Sequence, residues 1–88
     1  MGLARAKVLI AATVSEADQV KRKYPQFKYH VAVTPRCLPE LLSVGEYVWT
    51  PAASSLPARL RLGLRGYLAP LIDEDSVEET FPDTLLSW

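Results

Sequence analysis

KVLIAATVS, residues 7–15, is a continuous apolar run that stops at Thr13 and Ser15, just before a charged stretch with helical period. A run of this length, closed by hydroxyl residues suited to helix caps, reads as the first and central strand of a small α/β sheet. Two later runs have the same shape, YHVAVT at 29–34 and EYVWT at 46–50, and each ends in threonine followed by a turn or helix start.

The segments between these runs have helical character. Ser15 or Thr13 caps a helix reaching to about Tyr24, with Thr13 and Glu16, or Ser15 and Asp18, at capping-box spacing. Ala17, Val20 and Tyr24 fall on one side of it, Asp18, Lys21, Arg22 and Lys23 on the other, and Pro25 ends it. Residues 37–44, CLPELLSV, read as two helical turns with Pro39 near the start and Gly45 as a left-handed C-cap. After a loop at 51–55, residues 56–68 form the longest helical pattern. Leu60, Leu64 and Leu68 share one face, Arg61 and Arg65 another, and Gly63 and Gly66 each weaken the helix by about 1 kcal/mol relative to alanine. A fourth short strand fits 68–72, where Pro70 confines it to an edge.

Strands alternating with helices imply βαβ units and a parallel sheet. The expected fold class is α/β: a small three-layer, Rossmann-like domain over residues 1–72, with a three- or four-stranded, mainly parallel sheet in order 2-1-3 or 3-2-1. An acidic tail, residues 73–88, ends in the apolar residues Phe81, Leu85, Leu86 and Trp88.

Composition bounds the function. A chain of 88 residues holds one core and buries a little over ~60% of its unfolded surface, so association is an easy supplement to stability. With one cysteine, Cys37, and one histidine, His30, the chain forms no internal disulfide and no zinc site of Cys/His type, and it suits a reducing, cytoplasmic setting. The apolar segment at the start is too short for a secretory signal, and nothing approaches the ~20 apolar residues of a membrane span. Net charge is zero, yet all ten basic residues precede residue 69 alongside four acids, while the last 20 residues hold six acids and no base. Such a split lets the tail lie on the body or gives each part its own partner.

In open parallel sheets ligands bind beyond the carboxyl ends of the strands. Those ends carry Thr13 and Ser15, then Thr34, Arg36 and Cys37, then Thr50, Ser54 and Ser55, a hydroxyl-rich rim suited to an anionic group such as phosphate. No glycine-rich phosphate loop accompanies it, and strand-to-helix junctions use serine and threonine as caps in any case. Cys37 has no histidine near it in sequence and no arginine at the spacing of thiol phosphatases. His30 falls at the opposite end of the sheet from the threonines, and the receiver arrangement fails because Ala12 and Thr13 stand where acids belong. No catalytic residue, metal or cofactor is therefore expected. The basic groups Lys21, Arg22, Lys23 and Lys28, and Arg59, Arg61 and Arg65, lack interleaved aromatics, so nucleic acid is not an expected partner.

Two functional expectations follow. The first is a non-catalytic interaction or regulatory module working through its sheet edge, third helix (Arg61, Arg65) and acidic aromatic tail (Phe81, Leu85, Leu86, Trp88), and forming homo-oligomers because a small sheet leaves its edges open. The second is a protein or enzyme binding an anionic, nucleotide-like ligand at the strand ends.

Overall fold

The computed structural model describes residues 5–82 and builds them around β1, Ala6–Ile10. The remaining elements are α1 (Val14–Lys23), a 3₁₀ turn (Pro25–Phe27), β2 (Val31–Val33), β3 (Val44–Trp49), α2 (Pro51–Ser54), α3 (Ala58–Leu68) and β4 (Val77–Glu79). The strands form one all-parallel sheet in the order β2-β1-β3-β4, so β1 lies inside it. Of the two orders open in the sequence, 2-1-3 is the one adopted.

Alternation along β1 explains why its sequence is apolar throughout. Val8 and Ile10 join Val33, Val44, Ala53 and the α3 residues Leu64 and Leu68 in one buried cluster. Leu9 and Ala11 join Val48, Phe27, Phe81 and the α1 residues Ala17 and Val20 in another. A strand with apolar neighbours on both faces has no polar side to show water.

Local chemistry sets the helix ends. Thr13, in extended conformation, accepts the Glu16 N–H at 3.1 Å and starts α1. Lys21, Arg22 and Lys23 occupy its last turn, where the helix dipole favours cations, and Pro25 follows. At α2, Thr50 accepts the Ala53 N–H at 3.1 Å and Pro51 takes the first helical position.

Besides the loop expected at 51–55, where α2 forms instead, three expectations are corrected. Residues 37–43 form no helix: Thr34 and Cys37 exchange backbone hydrogen bonds at 3.1 Å around a turn, and the chain then runs irregularly to β3. Pro39 disfavours helical geometry at Leu38, and the Tyr67 hydroxyl donates to the Pro39 carbonyl. Ser43 and Val44 are drawn into sheet pairing, the Ser43 carbonyl accepting the Ala6 N–H at 3.1 Å. Gly45 is accordingly a strand residue rather than a helix cap. A Cβ there would meet the Arg5 Cβ at 3.0 Å, so its small size permits the close passage of the chain beside β1. Finally, the fourth strand is Val77–Glu79, not 68–72. Residues 69–71 turn back at the end of α3, with the Leu71 and Ile72 N–H groups on the Leu68 carbonyl at 2.8 and 3.0 Å.

β4 lies within the stretch whose sequence reads as an acidic tail. Its entry is tied down at the base of the sheet: Arg5 donates to the Asp73 carboxylate at 2.7 Å and to the Val44 carbonyl at 3.0 Å, while the Ser76 hydroxyl donates to the same carbonyl at 2.6 Å. The Arg5 hydrogen bond holds the Asp73 carboxyl below its ordinary pKa. Phe81 then turns into the α1-side cluster, stacked on Phe27 with ring centroids 6.0 Å apart. Leu85, Leu86 and Trp88 lie outside the described residues. Among the described residues, no helix is long and apolar enough to cross a membrane.

Candidate functional site

The sheet's order reverses between β1 and β3, the position where open α/β sheets receive ligands. Here that position holds the Glu16 carboxylate. One of its oxygens accepts the Ala12 N–H at 2.7 Å and the Thr50 hydroxyl at 3.0 Å. Thr50 is fully buried and uses the same oxygen to cap α2. A carboxylate held by a backbone amide and a hydroxyl between two strand ends is the arrangement a bound anion would adopt, supplied by the chain itself.

The predicted rim residues separate into groups around it. Thr13 caps α1, and Ser15 sits exposed in the first turn. Thr34, buried, and Arg36, exposed, follow β2 on the far side of β1 from Thr50. Ser54 and Ser55 close α2, and Ser54 turns toward a different concavity, a cleft of about 370 Å³ beside α3. The sulfur residue of the rim, Cys37, is exposed.

That cleft is walled by Tyr47 and Trp49 of β3, Arg61 and Arg65 of α3, Ser54, and Glu78 of β4. It exists because Leu64 and Leu68 seat α3 over Val8, Ile10 and Val44, leaving Tyr47 and Trp49 packed only at the border of that cluster. The Arg65 guanidinium stands 5.8 Å from the Trp49 ring centroid, in cation–π range. Arg61, which also lines the cleft, donates through Nε to the Leu56 carbonyl at 2.9 Å, and this bond fixes its stem. Burial, and then the neighbouring Glu78 carboxylate, push the Tyr47 phenol above its ordinary pKa, partly opposed by Arg65. Leu62, 67% exposed, stands on α3 one turn from Arg65.

Arg61 and Arg65, read from sequence as partner-binding, thus share a site with Ser54, read as ligand-binding. Tyr47, Trp49 and Glu78 were missed. The aromatic pair sits two residues apart in β3, a spacing that places both on one sheet face; Glu78 requires β4, whose pairing the sequence does not reveal. Phe81 is spent in the chain's own core, only 6% exposed. On the other face of the sheet, among the described residues, His30, Glu46 and Glu79 form a group whose donor atoms lie close enough to hold a metal.

In comparisons with known proteins, the chain matches no family model, no curated protein and no solved structure.

Proposed function

We propose that the chain is a non-catalytic protein-interaction module, Rossmann-like and three-layered in build, whose α3 cleft receives an acidic segment bearing an apolar anchor. The pairing of Arg65 with Trp49 in an open cleft, next to Arg61 and the exposed Leu62, carries this reading. Aromatic and arginine side chains at the centre of a concavity are the residue types that dominate protein interfaces, and guanidinium groups match carboxylates in geometry. The position where a sheet of this order takes a small ligand holds the Glu16 carboxylate, already bonded to Ala12 and Thr50, whereas the cleft places two arginines and two aromatic rings around an open concavity.

The occupant with matching chemistry is residues 83–88 of a second copy: Asp83 supplies the acid, and Leu85, Leu86 and Trp88 supply the anchors. Docking of this segment on a second copy gives a homo-oligomer. Light scattering of the full chain and of a chain ending at Pro82 tests it. The full chain should be at least dimeric and the shortened one monomeric with a cooperative melt. Equal masses would reject the docking.

The cleft's volume and the hydroxyl of Ser54 beside two arginines favour a second reading, a small anionic, nucleotide-like ligand in the same place. Thermal melts against nucleotides and phosphorylated metabolites separate the two. Stabilisation that is lost in Arg65→Ala supports the small ligand, and a flat panel rejects it.

A further inference from the structure

We propose that His30, Glu46 and Glu79 form a binding site for a divalent transition-metal ion, Zn²⁺ being the best fit, on the α1-bearing face of the sheet. The site is separate from the α3 cleft and does not depend on its function. The donor atoms of the three side chains all lie within 4.8 Å of one another, and His30 Nε2 is 3.1 Å from Glu79 Oε1. A metal held at about 2.0–2.2 Å from nitrogen and oxygen ligands needs those ligands roughly 3–3.5 Å apart. The His30–Glu79 pair already has that spacing, and Glu46 has only to rotate its half-exposed carboxylate to complete it.

The fold builds this convergence from three separated segments. Residues 46 and 48 of β3 project to the same face, and Glu79 is the register partner of Val48, so both carboxylates emerge beside the Leu9 and Val48 cluster. His30 leaves the turn before β2 and is 5% exposed. Its ring is held edge-on to Phe27, centroids 5.1 Å apart at 82°, and Phe27 is in turn stacked on Phe81. One imidazole is therefore fixed in an apolar wall with its Nε2 on the Glu79 carboxylate and the Glu46 carboxylate close by.

Charge favours a cation there. Neutral imidazole with two carboxylates carries −2, and two carboxylates brought together in a half-buried place repel unless a positive charge stands between them. Among the described residues Lys7 is paired with this group, its Nζ 3.7 Å from Glu46 Oε2 on a side chain 60% exposed, and it balances one of the two charges. A divalent ion balances both, and Lys7 is free to swing into water. An imidazole ligand selects Zn²⁺, Co²⁺ or Fe²⁺ over Mg²⁺, and three protein ligands leave one coordination position open to water or to a fourth donor.

The test is calorimetric titration of the EDTA-stripped full chain with Zn²⁺, paired with visible absorption on adding Co²⁺. The expected result is one Zn²⁺ per chain, a raised melting temperature, no matching response to Mg²⁺, and a Co²⁺ band typical of four- or five-fold coordination. Glu46→Gln, at a half-exposed position that the core does not need, should weaken binding roughly tenfold or more without lowering the melting temperature of the stripped chain. Lys7→Met should strengthen binding, and Cys37→Ser should leave it unchanged. No uptake of Zn²⁺, or uptake unaltered in both Glu46→Gln and Glu79→Gln, would overturn the proposal and leave His30 and Glu79 as a plain hydrogen-bonded pair.

Discussion

At the rim between β1 and β3 the polar groups are turned on one another, whereas the cleft beside α3 mixes groups engaged within the fold, Arg61 Nε among them, with others that line an open concavity. Glu16 accepts from Ala12 and Thr50, and Thr50 caps α2, so these groups are consumed in joining two strands to two helices. Across the cleft, Arg65 faces Trp49 at 5.8 Å while Ser54 and Glu78 line the same opening. Both places are polar concavities near strand ends, yet in the first the carboxylate, the hydroxyl and the amide already satisfy one another. Placement at the carboxyl end of a sheet is therefore not enough to make a ligand site; the groups there must also be left unused by the fold.

Substitutions separate the two places. Leu68 belongs to both the buried cluster and the cleft lining, so Leu68→Ala should cost about 2–5 kcal/mol in urea unfolding and loosen association as well. Its effect sets the scale for damage shared by core and cleft. Glu16→Ala leaves the Ala12 amide and the Thr50 hydroxyl without their acceptor and should cost about 1–3 kcal/mol. Added formate or acetate should restore part of that loss by entering the vacated place. If Glu16→Ala is neutral, the rim is not structural and the contrast fails.

Cleft residues should behave in the opposite way. Arg65→Ala removes an exposed cation–π contact and should change stability by about 1 kcal/mol or less, while abolishing association measured by light scattering. The smallest effect is at the base of the sheet. The Arg5 hydrogen bond depresses the Asp73 pKa from 3.8, so the folded state gains from this carboxylate above its unfolded pKa, and the gain is lost as pH falls through the lower folded value. The stability difference between the wild-type chain and Asp73→Asn should be present at neutral pH and vanish at acid pH below that depressed value. A difference that persists there would assign the contribution of Asp73 to something other than its charge.

The parts of this molecule that declare themselves in sequence are those set by local chemistry or by burial on both sides. KVLIAATVS shows β1 because a doubly buried strand has no polar alternation, and the Thr13 to Glu16 spacing shows the start of α1. The pattern over 56–68 shows α3 to within two residues, and with it the shared face of Arg61 and Arg65. Val77–Glu79 stayed hidden because a three-residue edge strand rich in glutamate looks like a solvated acidic stretch until β3 is beside it. CLPELLSV carries helical spacing, but pairing of Ser43 and Val44 with the sheet outweighs what two turns interrupted by Pro39 could provide. The partners of Glu16 and the meeting of His30, Glu46 and Glu79 come from distant segments, and no spacing rule reaches across three strands.

The α3 cleft as the interaction surface is the claim most directly put at risk by one comparison: the mass in solution, by light scattering at matched micromolar concentration, of the full chain and of its Arg65→Glu variant. Reversing the charge over Trp49 should convert an oligomer to a monomer while the melting temperature stays within a few degrees. Two chains of identical mass would contradict it.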